Sequence, residues 1–231
     1  MPSRAANIAA LLTRSEADLT KIEGEYNSSL HAQTIAPSLK IDIKNLCENL
    51  RSVLDYLARD IRERHCPSVK SGDRFYFPIL PDAMQFASQV ERWFPDLKAT
   101  APALWHALEA IQPYHAANAW LALFNRVNNE NKHGDLVEQS RVETREVRAT
   151  SAGGGMVSWN PGAVTFGSGV FINGVPVNPQ TQMPVPHPSQ KVERFTWVDF
   201  RFAGIDVSAL QLLKQSVAGT RKISDSLAPL V

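Results

Sequence analysis

The chain has 231 residues, of which 44% are hydrophobic and 20% charged, so it can bury a sizeable core without disulfides or metal ions. This composition excludes both a disordered chain and a small disulfide-stabilised domain. The 24 basic and 23 acidic side chains leave a net charge of +1, which gives no overall attraction to nucleic acid. Any contact with phosphate must therefore be a local site.

The sequence also indicates where the protein resides. No apolar window is as long as the roughly 18 residues of a membrane span, and the charged Arg14, Glu16 and Asp18 follow the short apolar stretch at the start. We expect neither a transmembrane helix nor a signal peptide, and no membrane partner. Cys47 and Cys66 match neither a disulfide framework nor C-x-x-C spacing, which favours reduced thiols in a cytoplasmic protein.

The first 134 residues are predicted to be helical. Apolar residues recur at intervals of three, four and seven along a first long helix. They are Ile8, Leu12, Leu19, Ile22, Tyr26 and Leu30. A second helix is expected over 37–65, because Pro37 suits a first turn and Cys66-Pro67 ends the pattern. Its predicted buried face comprises Ile43, Leu46, Leu50, Val53, Leu54, Leu57 and Ile61. The short connection between the two helices favours an antiparallel hairpin.

A loop and three shorter helices follow. Residues 66–81 combine prolines and a glycine with Phe75, Tyr76 and Phe77, which predicts a loop packed by these three rings. Three helices are then predicted at about 82–94, 102–111 and 116–132, separated by Pro95 and by Gln112-Pro113-Tyr114.

The composition changes after residue 135. Alternating β-branched and polar residues predict strands at 136–150 and 191–202. The charge-free segment 149–190 lies between them and contains Asn173-Gly174, a signal for a tight hairpin. Asp206 is the expected N-cap of a final helix.

The predicted fold is thus mainly α. It consists of a helical bundle over 1–134, a small antiparallel β appendage over 135–203, and a C-terminal helix in 204–231 that packs back on the bundle. We also expect 149–190 to be an exposed and locally mobile excursion.

The main catalytic candidates are Arg126 and His133. In a helix, seven residues make two turns less about 20°, so both would lie on one face. A permanent cation and an imidazole are two groups that metal-free RNA cleavage needs. Asn129 and Lys132 are candidate binding residues beside them. The alternative is structural: Arg126 and Glu130 would form an i,i+4 surface pair, and His133 would lie at a helix C-cap.

A second set of candidates lies on the helix at 37–65. Arg51 and Asp55 are spaced as an i,i+4 pair, and Asn49 belongs to a polar stripe beside the apolar face. We take Asn49, Arg51 and Asp55 as candidate binding residues. The alternative is that these polar side chains hydrogen-bond a neighbouring helix. Since no H-x-x-x-H, H-E-x-x-H or paired-cysteine spacing occurs, we expect no metal and no cofactor.

Four segments together resemble a group of uncharacterised bacterial proteins. They are, in chain order, Asn49 to Ala58 (NLRSVLDYLA), Phe77-Pro78-Ile79, Ile111 to Tyr114 (IQPY) and Asn128 to His133 (NNENKH). More distantly, the spacing of Arg126 and His133 is similar to the R-x(4–6)-H motif of the HEPN superfamily (higher eukaryotes and prokaryotes nucleotide-binding).

The HEPN resemblance implies a helical bundle that commonly dimerises. Active HEPN proteins are metal-independent endoribonucleases of toxin–antitoxin and phage-defence systems. By this resemblance RNA would be the substrate, Arg126 would hold the scissile phosphate, and His133 would act as general acid or base. The rival hypothesis is a non-catalytic interaction protein, with the bundle as a homodimerisation scaffold and 149–190 as the surface for a protein partner.

Overall fold

A computed structural model describes residues 4–32, 36–67, 74–133, 139–202 and 205–231; within these ranges it does not describe the side chains of 29–32, 131–133 and 197. The chain divides into two units, one formed by 1–140 with 200–231 and the other by 141–199. Helices make up 56% of the chain and the strands pair antiparallel, which confirms a mainly helical fold with a small β part.

The helices belong to the first unit. They are α1 (Ala5–Ala32), α2 (Pro37–His65), α3 (Ala83–Trp93), α4 (Leu97–Thr100), α5 (Pro102–Ala110), α6 (Ala119–His133) and α7 (Ala209–Leu227), with short 3₁₀ helices at Ala116–Asn118 and Ala228–Leu230. The predicted helix at 37–65 is confirmed as α2, which packs against α1, α6 and α7. Its central position follows from its sequence, because all seven predicted core residues, from Ile43 to Ile61, are buried.

The α1 stripe is also confirmed in large part. Ile8, Leu12, Ile22 and Tyr26 are buried and Leu19 is partly buried, whereas the side chain of Leu30 lies outside the described residues. The two long helices pack on each other along their length, as the short connection suggested.

The final helix begins later than predicted. Asp206 is not its N-cap: the helix starts at Ala209, and Ser208 Oγ accepts a hydrogen bond from the Gln211 N–H at 3.4 Å. The reason is a short strand, β7 (Val207–Ser208), that intervenes before the helix. Asp206 has φ 49° and instead accepts a hydrogen bond from Arg201 at 3.0 Å. The helix α7 then packs against α1, α2, α5 and α6.

The second unit is built from strands. Its elements are β1 (Gln139–Ser151), β2 (Met156–Trp159), β3 (Phe171–Ile172), β4 (Val175–Asn178), β5 (Met183–Pro184) and β6 (Gln190–Phe202). The first residues of β1 and the last residues of β6 belong to the helical unit. The strand order is β2-β1-β6-β7 in one sheet and β3-β4-β5 in the other. The unit has its own small core of Val147, Ala149, Trp159, Ile172 and Val177.

The hairpin predicted at Asn173-Gly174 is confirmed. Ile172 pairs with Val175, so the loop has two residues, and Asn173 (φ 52°) and Gly174 (φ 80°) both adopt positive φ. These angles are those of a type I′ turn, which asparagine and glycine tolerate best.

The structure changes unit at 140/141 and 199/200. The predicted limits at 134/135 and 203/204 lie outside the described residues and stay a prediction. The end of β6 belongs to the helical unit because Phe200 and Phe202 are buried in the helical core. The mobility of 149–190 stays a prediction.

Candidate functional site

The extended segment 74–80 is held from two sides by polar side chains. Asp55 Oδ1, on α2, accepts a hydrogen bond from the Phe77 N–H at 3.2 Å. Gln112, which follows α5 and is fully buried, accepts from the Leu80 N–H at 3.0 Å and donates to the Pro78 carbonyl at 3.1 Å. Three segments that carry the sequence resemblance therefore meet at this loop.

Arg51 connects the same place to α6. Its Nε and Nη2 lie 3.3 Å and 3.1 Å from the Asp55 carboxylate oxygens, which confirms the predicted i,i+4 pair. Its Nη1 donates to Asn125 Oδ1 at 3.3 Å. The residue is only 8% exposed, so its guanidinium is oriented by these contacts. A guanidinium carries five N–H groups, so donors remain that a ligand could use.

Arg51 lies at the wall of a cleft of about 390 Å³. The cleft is lined by Arg51, Tyr76, Phe77, Ile79, Trp93, Asn125 and Asn129. The Tyr76 ring is 51% exposed, with the Arg51 guanidinium 5.9 Å from its centroid and Trp93 packed edge-on at 6.2 Å. The cleft thus combines a cation, two amides and an accessible aromatic ring.

A second cleft of about 310 Å³ shares Tyr76 with the first. Its other lining residues are Asp55, Arg59, Arg74 and Phe75. Arg59 and Arg74 are both exposed. Taken together, the two clefts contain three arginines and one aspartate, which is a local excess of two positive charges.

The candidates on α6 separate in the structure. Asn129 lines the first cleft, but Arg126 does not: its side chain is half exposed and its Nε donates to Glu130 Oε1 at 2.9 Å. This is the i,i+4 surface pair of the structural alternative. Asn125 and Asn129 are one turn apart and lie on the cleft side, whereas Arg126 is about 100° from Asn125 and about 60° from Asn129 around the helix and does not line the cleft. The side chains of His133 and Lys132 lie outside the described residues.

Asn49 also lies away from Arg51. It lines a separate polar cleft of about 270 Å³ between α1 and α2, together with Arg14, Asp18 and other polar residues. The structure therefore brings Arg51, Asp55 and Asn129 together and leaves Asn49 outside that group.

Sequence reasoning missed Arg59 and Arg74 at the second cleft, and Tyr76, Asn125 and Trp93 at the first. Tyr76 was expected to pack with its neighbours, but in an extended segment alternate residues face opposite sides, so Phe77 is buried and Tyr76 is exposed. That alternation is the signal that could have identified it. Asn125 and Trp93 could not be found this way, because only the packing of α6 and α3 places them at the cleft.

A polar side chain on α6, that of Asn128, is buried. Asn128 is 1% exposed, and neither atom of its amide has a hydrogen-bond partner in the part of the chain that the structure describes.

Comparison with protein-family models, with curated proteins and with solved structures found no match. The resemblance to HEPN proteins therefore stays a prediction. Within the described ranges, no three His, Cys, Asp or Glu side chains group as metal ligands would, and no helix has the length and apolarity to cross a membrane.

Proposed function

We propose that the helical unit binds RNA through the two clefts at Tyr76, which we call the Tyr76 surface. The observation that carries the proposal is the oriented Arg51 guanidinium beside the exposed Tyr76 ring. Arginine binds phosphate through a planar fork of donors, and aromatic rings stack on bases. A nucleotide offers both groups at once.

The local charge supports an anionic ligand. Arg51, Arg59 and Arg74 outnumber Asp55, so the surface attracts phosphate although the chain as a whole is nearly neutral. Asn129 is exposed and presents a carboxamide, which can both donate to and accept from a base edge.

Charge reversal at the exposed arginines tests the proposal. The variant R59E/R74E should bind a fluorescein-labelled single-stranded RNA at least tenfold more weakly than the unchanged chain, as measured by fluorescence anisotropy at low salt. The matched control R145E changes an exposed arginine of β1 in the other unit and should bind like the unchanged chain. Equal binding by all three proteins, or no binding at all, would refute the proposal.

The same RNA tests cleavage by Arg126 and His133. If the chain cleaves RNA in the presence of chelator, metal-independent cleavage is added to the function. His133→Ala should then form almost no product, because general acid–base catalysis contributes about 10²–10⁴ in rate. Intact RNA after long incubation would leave binding as the activity.

A specific observation also favours the rival function, a surface for a protein partner. Large apolar side chains are exposed in the β unit: Met156, Val157, Val164 and Phe171. Exposed apolar residues that form a patch mark interaction sites. Replacing Met156 and Phe171 by serine should then abolish co-purification of a partner or self-association, measured by light scattering, without altering RNA binding.

A further inference from the structure

The arrangement of the Tyr76 surface indicates which form of RNA fits it, an inference that rests on the proposed function. Tyr76 lines both clefts, with Arg51, Asn125 and Asn129 in one and Arg59 and Arg74 in the other. The ring therefore lies between the two clefts, and a ligand that fills both must pass it.

The spacing along α2 sets the length of such a ligand. Arg51, Asp55 and Arg59 follow each other at intervals of four residues, so Arg51 and Arg59 are about 12 Å apart along the helix axis. Stacked nucleotides in one strand rise about 3.4 Å each, so 12 Å exceeds the rise of a single nucleotide. A strand that runs along α2 past both arginines therefore contains at least two nucleotides.

The exposed ring sets the conformation of the ligand. Bases inside a duplex are already stacked on each other, and an aromatic side chain reaches only bases that are unstacked. Each cleft is also at the small end of the range for ligand pockets, about 300–1,000 Å³, which suits one nucleotide rather than a helix.

We propose that the Tyr76 surface is specific for single-stranded RNA of two or more nucleotides, with one base stacked on Tyr76. The first cleft then holds the base edge, through the amides of Asn125 and Asn129, and the phosphate of that nucleotide, through Arg51. The second cleft holds the adjoining backbone phosphate, through Arg59 and Arg74. A base-paired stem has no unstacked base to offer and is excluded.

The experiment measures binding by the full chain as a function of RNA length and structure. Fluorescein-labelled oligouridylates of two, four and eight nucleotides, uridine monophosphate as a competitor, and a blunt RNA duplex are compared by fluorescence anisotropy. We expect affinity to rise at least tenfold from the monophosphate to the short oligomers, and the duplex to bind at least tenfold more weakly than the eight-nucleotide strand.

Substitution of Tyr76 separates this inference from the proposed function. Tyr76→Ala should weaken single-strand binding about 5- to 150-fold, the effect of losing one base–aromatic stack. Tyr76→Phe should restore most of the affinity, because the ring and not the hydroxyl stacks. Phe171→Ala removes an exposed aromatic ring from the β unit and is the matched control, expected to bind like the unchanged chain. Tyr76→Leu keeps an apolar contact with Trp93 and replaces Tyr76→Ala if that variant does not fold.

The outcomes distinguish the two proposals. If no RNA binds, the proposed function fails and this inference fails with it. If single strands bind but the duplex binds as well as they do, or Tyr76→Ala and Tyr76→Leu bind like the unchanged chain, the function stands and the single-strand stacking mode is wrong.

Discussion

Gln112 holds the extended segment 74–80 in place. Its side chain is fully buried and makes three hydrogen bonds: from the Leu80 N–H, and to the carbonyls of Pro78 and Leu108 at 3.1 Å and 2.8 Å. Leu108 is in the last turn of α5, where carbonyls lack helical partners. Gln112 thus caps a helix and ties it to the loop.

Replacing Gln112 by Met keeps the length of the side chain and removes its polar atoms. Each hydrogen bond contributes about 1 kcal/mol net, so losing three should lower the free energy of unfolding by about 3 kcal/mol. In the variant, the Leu80 N–H and the Pro78 carbonyl would lose their hydrogen bonds to Gln112. Water does not fully replace these bonds, because the site is buried.

Urea unfolding followed by circular dichroism measures the effect. The control is Gln85→Met. The exposed Gln85 side chain donates to Asp82 within one turn at 2.9 Å, so its loss should change stability by less than about 0.5 kcal/mol. A loss below about 1 kcal/mol for Gln112→Met would show that the three bonds do not stabilise the fold, and the account of the loop would be wrong.

Further predictions concern the helical core. Gly219→Ala should lower stability by about 1–3 kcal/mol despite the better helix propensity of alanine, because the added Cβ would overlap the Trp120 ring, 2.5 Å from Cε2 and 2.8 Å from Cη2. Gly24→Ala is its matched control, since no described neighbour lies within 4 Å of the added Cβ. It should raise stability by about 1 kcal/mol in the same urea titration. A gain in stability at both glycines would contradict the close approach of α6 and α7. Asn128→Leu should raise the unfolding free energy by about 1–2 kcal/mol, because it removes a buried amide that has no hydrogen-bond partner among the described residues, and a loss would show that the amide is bonded. Burial raises the pKa of the Cys47 thiol to about 12. At pH 8 iodoacetamide should therefore alkylate Cys47 far more slowly in the folded chain than in urea, as measured by mass spectrometry. Equal rates would place the thiol at the surface.

Local sequence patterns predicted most of the helical unit. The helix at 37–65 was found with both ends, because Pro37 and Cys66-Pro67 mark its limits and a continuous apolar stripe fills it. The hairpin at Asn173-Gly174 was found for a similar reason: positive φ at two successive residues is a local requirement that few residue types meet.

The errors arose where distant packing decides the local structure. Asp206 has the right residue type for an N-cap, but the following two residues pair with the end of β6, so Ser208 is the N-cap and the helix starts at Ala209. The four-residue helix α4 follows Asp96, which has φ 64°, and has too few residues for a periodic pattern.

The site was only partly predictable, for the same reason. The Arg51–Asp55 pair follows from a four-residue spacing and was predicted. The bonds from Asp55 to Phe77 and from Gln112 to Pro78 join residues 22 and 34 positions apart, and no spacing rule connects them. The sequence therefore supplied Arg51, Asp55 and Asn129 of the Tyr76 surface, but neither Asn125 and Arg59 nor the contacts that place the loop beside them.

The near-neutral charge of the chain is compatible with a nucleic-acid site because charges act over short distances. At physiological ionic strength the field of an exposed charge is screened within about 8 Å, so the cleft responds to the groups that line it and little to the rest of the surface. Much of the remaining charge is paired, as in the contacts of Arg4 with Asp60 and Glu63 and of Lys21 with Asp42. Three arginines against one aspartate at the Tyr76 surface are therefore a stronger guide to its ligand than a net charge of +1.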